Sequence, residues 1–297
     1  MIEIRRAIPE DKARIIEISS KIWDGDDYLP HIFDKWVKDT EGEFSVVTVE
    51  GVVAGCSKIT RLPHNVLWFE GIRVDSDYRG QGLGKKMAEY QLRRAKELGY
   101  DRLELGTFVE NYESIAIIEK RGFERVAELK FLFKELDESS LKEGVKKPNE
   151  DILKIKDLSE VRNIIEKLNT PCRNGYVSMD WTFVKCDEDF LAHLIERDAV
   201  YKIKDTVFAF SNWNQKDDGM TVHFIIGNHQ QEALDYIIDQ ALIAKASNIV
   251  LMSSGALEER ELFIKNGFIS ITESERDAYV YRLKQGKGAT HVKSKCN

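Results

Sequence analysis

Apolar residues recur along this chain in two rhythms, unbroken or alternating runs and runs at helical spacing, and their order sets out the elements. Ile2 and Ile4 open a strand, and Pro9-Glu10-Asp11 puts a proline and two acids in the first turn of a helix. Ala13, Ile16, Ile18 and Ile22 carry that helix to Trp23. The stretch Asp24-Gly25-Asp26-Asp27-Tyr28-Leu29-Pro30 interrupts it, and a second short helix runs near Ile32 to Val37. Phe44 to Val49 and Val53 to Ile59 read as a hairpin turning at Glu50-Gly51, and Val66 to Val74 as a further strand. Leu83, Met87, Ala88, Leu92 and Ala95 then mark a helix that Gly99 stops. Leu103, Leu105 and Thr107 alternate as a strand, Tyr112 to Lys120 is a short helix, and Phe123 to Leu136 returns as β. The order β-α-α-β-β-β-α-β-α-β predicts a mixed α/β layer (α+β in its segregation) rather than regular βαβ units.

The stretch Asp137 to Asp151 is charged and poor in large apolar residues, and reads as a linker. After it the first rhythm returns: Ile152 to Ile155, a strand at Val222 to Ile226, a helix at Gln231 to Lys245, a strand at Ile249 to Met252 and a short helix at Glu258 to Lys265. Lys265-Asn266-Gly267-Phe268 echoes Lys120-Arg121-Gly122-Phe123. The expectation is two copies of one fold: a first domain over 1–137, a linker over 138–151, a second domain over 152–284 and a disordered polar tail over 285–297.

Composition narrows the function. At 297 residues the chain has room for roughly two domains of ~150 residues. Its net charge of −7 argues against general binding to nucleic acid or an anionic membrane, though not against a cationic small substrate. No apolar run approaches the ~18 residues of a membrane span, and the amino terminus reads as a strand rather than a signal peptide. Cys56, Cys172, Cys186 and Cys296 are far apart, without a CxxC pair or histidines at ligand spacing. The expectation is a reduced, cytoplasmic chain with no structural metal.

The chemistry concentrates at Arg79-Gly80-Gln81-Gly82-Leu83-Gly84-Lys85-Lys86, between a strand and a helix. Glycines let backbone come close to a ligand, and the N–H groups of a helix start point outward at an anion. Arg79, Lys85 and Lys86 add positive charge at the helix end the macrodipole already makes positive, which is more favourable with an anion present. A nucleotide P-loop needs Ser or Thr after Gly84-Lys85, where this chain has Lys86. A dinucleotide fingerprint needs a third glycine where Lys85 stands, and belongs after the first strand of a domain. The pattern that remains is R/Q-x-x-G-x-G/A.

With Val74-Asp75-Ser76-Asp77-Tyr78 ahead of it and Asn111, Ser114 and Glu119-Lys120-Arg121-Gly122-Phe123 behind, this stretch strongly resembles the GNAT superfamily of acyl-CoA N-acyltransferases. The resemblance covers roughly residues 1 to 135; the second half matches in element order alone, as a degenerate copy. It implies two tandem GNAT-like domains, acetyl-CoA as acyl donor, and transfer by direct attack without a covalent enzyme intermediate. It further implies that the backbone of Ile72, Arg73 and Val74 meets the pantetheine arm. The amides of Arg79, Gly80, Gln81, Gly82, Leu83, Gly84 and Lys85 would hold the pyrophosphate, and Asn111 and Ser114 would line the thioester end.

Glu70 is the candidate base. It lies amid Leu67, Trp68, Phe69 and Ile72, where desolvation raises a carboxyl pKa, and at the position where relatives often place a carboxylate. Many relatives carry a tyrosine as general acid where this chain has Ile118, so that step lacks its usual residue. On the acceptor side, Asp26, Asp27 and Tyr28 read either as a solvated turn and helix cap or as a pocket for a cationic or zwitterionic amine, with Glu70 and Trp181 as further acceptor-binding candidates. This stretch is similar to the two-domain branch that includes histidine N-acetyltransferase, which implies a small α-amine as acceptor. The competing readings are a non-catalytic acyl-CoA-binding or regulatory module, and a peptide or protein N-acetyltransferase. The oligomeric state is not legible.

Overall fold

A computed structural model describes residues 1–22, 25, 27–136, 151–212 and 219–284. The expected linker and tail therefore lie outside the described residues, apart from Asp151. The chain divides into two packed units. The first takes 1–106, 113–124 and 281–284, and the second the described residues of 107–112 and 125–280.

In the first unit, β1 (Ile2–Arg6), β2 (Glu43–Val49), β3 (Val52–Leu62) and β4 (Val66–Val74) are successive antiparallel neighbours. β5 (Arg102–Phe108) then runs parallel to β4, after a crossover through helix α3 (Leu83–Glu97). β2 and β3 are buried on successive residues, Ser45, Thr48 and Ser57 included, because both faces are covered. Phe44, Val46 and Cys56 meet α1 (Lys12–Ser19) and α2 (Leu29–Lys38), while Val47 and Ala54 meet Leu83 and Met87 of α3. α2 buries Leu29, Ile32, Phe33 and Trp36, the i, i+3, i+4, i+7 stripe of a core-facing helix. The predicted first helix is shorter than its apolar pattern. A turn at Pro9–Asp11 precedes it, where Asp11 accepts the Ile8 N–H at 2.9 Å and both Arg5 nitrogens at 2.8 Å, and it ends at Ser19.

The second unit repeats the order. β7 (Ile152–Lys154), β10 (Val200–Ile203), β11 (Thr206–Ser211) and β12 (Gly219–Ile226) are antiparallel neighbours, and β13 (Asn248–Ser253) is parallel to β12 across the helix Gln230–Ile243. Between Ile155 and Gly219, where the sequence pattern assigned no element, lie β10, β11, the separate hairpin of β8 (Tyr176–Met179) and β9 (Thr182–Lys185), and the helices Ile164–Leu168 and Glu188–Glu196.

The closing strands are exchanged. Beside β5 runs β15 (Ala278–Lys284), whose Arg282 Nε donates to Glu104 at 2.7 Å and whose Tyr281 hydroxyl donates to Glu119 at 2.8 Å. Beside β13 runs β6 (Glu124–Glu135), with Phe133 opposite Val250. A single cut near 137 therefore differs from the packed division. Cys56 and Cys186 are free thiols pushed up to about 12 by burial, whereas Cys172 is disulfide-bonded, against the expectation of four reduced thiols. Among the described residues no helix is long and apolar enough to cross a membrane.

Candidate active site

The site begins where the parallel pair β4–β5 stops. Register runs from Val66–Arg102 to Phe69–Leu105, yet β4 continues to Val74, so among the described residues its edge over Glu70–Val74 has strand pairing on the β3 side alone. The β3–β4 register also shifts between Cys56 and Lys58, at Gly71, whose φ of +67° belongs to the left-handed region. A side chain there would meet the Trp36 ring at 2.7 Å. The bulge turns the strand so that Ile72 is exposed and Glu70 half-buried.

Val74 leads through the 3₁₀ turn Ser76–Tyr78 to the glycine loop. Gly80 (φ +77°) and Gly82 (φ +72°) are left-handed, and a Cβ built on either meets no heavy atom within 4 Å. Gly82 caps α3; its carbonyl accepts the Lys86 N–H at 3.0 Å, and buried Leu83 ties the first turn to the core. The first-turn N–H groups of Leu83, Gly84 and Lys85 have no carbonyl behind them in the helix. An open, glycine-lined cradle at a helix N-terminus fits a pyrophosphate. Arg79, Gln81, Lys85 and Lys86 are exposed around it.

Asp75 fixes the approach to this loop and was not singled out in the sequence. Its carboxylate is buried against Arg14 and Lys21 and accepts the Asp77 N–H at 3.2 Å. Burial raises its pKa, but the Asp77 N–H, Lys21 and Arg14 outweigh that and hold it below the usual range.

On the acceptor side, Asp27 is buried, and Arg73 takes both its oxygens, Nε to Oδ2 at 2.9 Å and Nη2 to Oδ1 at 3.2 Å. Read in the sequence either as part of a solvated turn and helix cap or as facing a cationic amine, this carboxylate is buried and paired with Arg73, and ties the start of α2 to β4. The Arg73 guanidinium also lies 5.4 Å from the Tyr28 ring centre, and Tyr28 meets Trp36 edge-on at 5.9 Å. Asp26 lies outside the described residues. Trp181 belongs to the second unit, where it stacks on Phe131 at 5.6 Å. Asn111 also falls in the second unit and is exposed, its N–H donating to the Phe108 carbonyl at 3.0 Å. Ser114 is half-buried on α4 (Tyr112–Lys120) in the first. Glu70, Ile72, Arg73, Val74, the glycine loop and Tyr28 are thus all carried by the first unit.

The Glu70 carboxyl is pushed above its ordinary range, first by burial, against a hydrogen bond from Thr60 and the charges of Lys58 and Arg73, with Asp39 adding to the rise. Lys58 is fully buried on β3, opposite Glu70, and ion-pairs with Asp39. The sequence does carry a signal for it: a lone lysine in the apolar run Val53–Ile59.

Residues 11–123 match the acetyltransferase (GNAT) family. That segment therefore has the character of an acetyltransferase domain, and acetyl-CoA is the acyl donor that the family uses. Among solved structures, a Thermoplasma acidophilum protein assigned as an acetyltransferase superposes with a TM-score of 0.60 at 17% identity, over 95% of this chain and 100% of that one. A GCN5-related N-acetyltransferase from Sphaerobacter thermophilus gives 0.61 at 12% identity, over 95% of both chains. A GCN5-related glucosamine N-acetyltransferase region of a fungal multi-domain β-N-acetylglucosaminidase gives 0.60 at 10%, over 95% of this chain and 38% of that one. These likenesses extend the fold across both units. No curated protein matches the chain.

Proposed function

We propose that the chain is an N-acetyltransferase that moves the acetyl group of acetyl-CoA onto the primary amine of a small molecule such as a free amino acid. One observation carries this reading: a half-buried carboxylate of raised pKa, Glu70, stands where the edge of β4 comes free, on the same strand that leads into the open glycine cradle. The loop from Arg79 to Lys85 would hold the pyrophosphate of acetyl-CoA, and the backbone of Ile72 to Val74 its pantetheine arm. The bound donor supplies the acetyl group as a thioester. Glu70 takes the proton of the acceptor ammonium, so that the neutral amine can attack. The Ile72 N–H polarises the carbonyl and stabilises the oxyanion. A thiolate leaves tolerably well near neutral pH, so Ile118 in place of an acid does not stop the reaction.

The Tyr28 and Trp36 rings and the Asp27–Arg73 pair, packed around the strand that carries Glu70, suit a small acceptor better than a peptide. The fungal region of like fold acts on glucosamine, also a small primary amine. An acceptor screen with acetyl-CoA, read by thiol release, tests the reading. Release with free amino acids or amino sugars is expected. Acetyl-CoA binding with no release for any amine would make this a binding module, and release with peptides alone would overturn the small-amine assignment.

A further inference from the structure

Lys58, Thr60 and Glu70 lie on one face of the β3–β4 pair, Lys58 directly opposite Glu70 and Thr60 on its diagonal. A buried lysine opposite a carboxylate would ordinarily pair with it. Here Lys58 Nζ is taken by Asp39 and by the Ile59 carbonyl at 2.7 Å, and Asp39 is held in turn by the N–H groups of Glu41 and Gly42, each at 3.0 Å. Gly42 makes this possible. A Cβ there would fall 2.3 Å from the Ile59 oxygen and 2.4 Å from Lys58 Nζ. Neither of these Lys58 partners is Glu70. Among the described residues, the one hydrogen bond that the Glu70 side chain receives comes from the Thr60 hydroxyl, to Oε1, and Oε2 accepts none.

We propose that Thr60 is a positioning residue for the proton transfer: its hydroxyl holds Oε1 of Glu70 so that Oε2 is presented to the acceptor ammonium. This rests on the reading of Glu70 as the base. A salt bridge from Lys58 would orient the carboxylate too, but at the expense of its basicity. A neutral hydroxyl orients it with a smaller loss. The proton passes from the ammonium nitrogen to Oε2, and the freed lone pair attacks the thioester carbonyl. The charged and titratable groups facing Glu70 are Lys58 from β3, Arg73 from β4, Asp39 beyond α2 and Tyr28 ahead of it.

Thr60→Val keeps the shape and removes the donor. Two measurements on the full chain test it. In protein labelled with ¹³C-glutamate, the carboxyl resonance that disappears in Glu70→Gln should titrate at higher pH in Thr60→Val, because a hydrogen bond to the ionised form is lost; Thr60→Ser should restore the wild-type midpoint. With acetyl-CoA and a mixture of free L-amino acids, thiol release by Thr60→Val should fall roughly 10-fold with KM for acetyl-CoA unchanged. A wild-type midpoint in Thr60→Val overturns the proposal, as does undiminished release by that variant while Glu70→Gln is slowed. Undiminished release by Glu70→Gln instead sinks the base assignment, a separate result.

Discussion

Glu70 shows how far a single residue can be read from sequence. Its apolar neighbours Leu67, Trp68 and Phe69 announced a desolvated carboxyl, and burial is the leading cause of its raised pKa. If it is the base, it works only when ionised, so turnover rises with pH through its folded pKa, and the acid limb sits above the usual carboxylate range. Glu70→Gln should lower kcat by ~10²-fold with little change in KM for acetyl-CoA. Raising the pH should recover part of the loss, because more amine then arrives neutral; full turnover in the variant near pH 7 would exclude this role. Asp27 was legible as an acid near the acceptor but not as an engaged one. Nothing in Asp26-Asp27-Tyr28 says that Arg73, far along the chain, takes both its oxygens. Lys58 and Asp39 were passed over for the same reason, since their pairing forms only once β3 is laid beside the end of α2.

The glycine loop was the most legible element, because its chemistry is local. Gly80 and Gly82 need left-handed backbone, the helix follows at once, and no distant partner is required. Strands β2 and β3 are legible as β-rich runs joined at Glu50-Gly51, but the bulge at Gly71 is not, because only a register against β3 reveals it. Gly82→Leu separates the loop's two duties. In the folded protein it costs about 1–2 kcal/mol of left-handed strain and lowers Tm modestly, since the new side chain meets open space. The same side chain occupies the cradle. Losing even one charge-assisted contact there should weaken acetyl-CoA binding by more than ~10-fold, as calorimetry would read. Unchanged affinity in a folded variant would remove the loop from the donor site.

Across the chain, element order disclosed the repeat, but the exchange of β6 and β15 could not be read, since either strand suits either sheet by pattern. The two copies also differ in their buried charge, and this predicts unequal responses to acid. In the first unit four carboxylates paired with cations or N–H groups, Asp11, Asp39, Glu43 and Asp75, have depressed pKa values, unlike Glu70. Burial pulls each the other way, and hydrogen bonds and cations win. A depressed carboxylate contributes stability above its unfolded pKa of ~4, which is lost as the pH falls through the folded value. The second unit buries His223 completely between β11 and β8, its Nδ1 at 2.8 Å from the Ser178 carbonyl and its Nε2 at 2.9 Å from the Ser211 hydroxyl. The carbonyl can only accept, so Nδ1 carries the proton and Ser211 donates to Nε2. Burial lowers its pKa from 6.5 to about 4. A histidine depressed on folding binds more protons when unfolded, so its contribution is present above pH 6.5 and is lost as the pH falls toward 4. Over that window the loss is about 3 kcal/mol. The second unit should therefore weaken between pH 6.5 and 4, while the carboxylates of the first still hold. Hydrogen exchange at pH 7.5 and 4.5 would check it: protection in β11 and β12 should fall by far more than in β2 and β3. His223→Phe, less stable at pH 7.5 because Ser178 and Ser211 lose their partner, should abolish that difference. Equal loss in both sheets, or a pH dependence that survives His223→Phe, would show that the histidine does not control it.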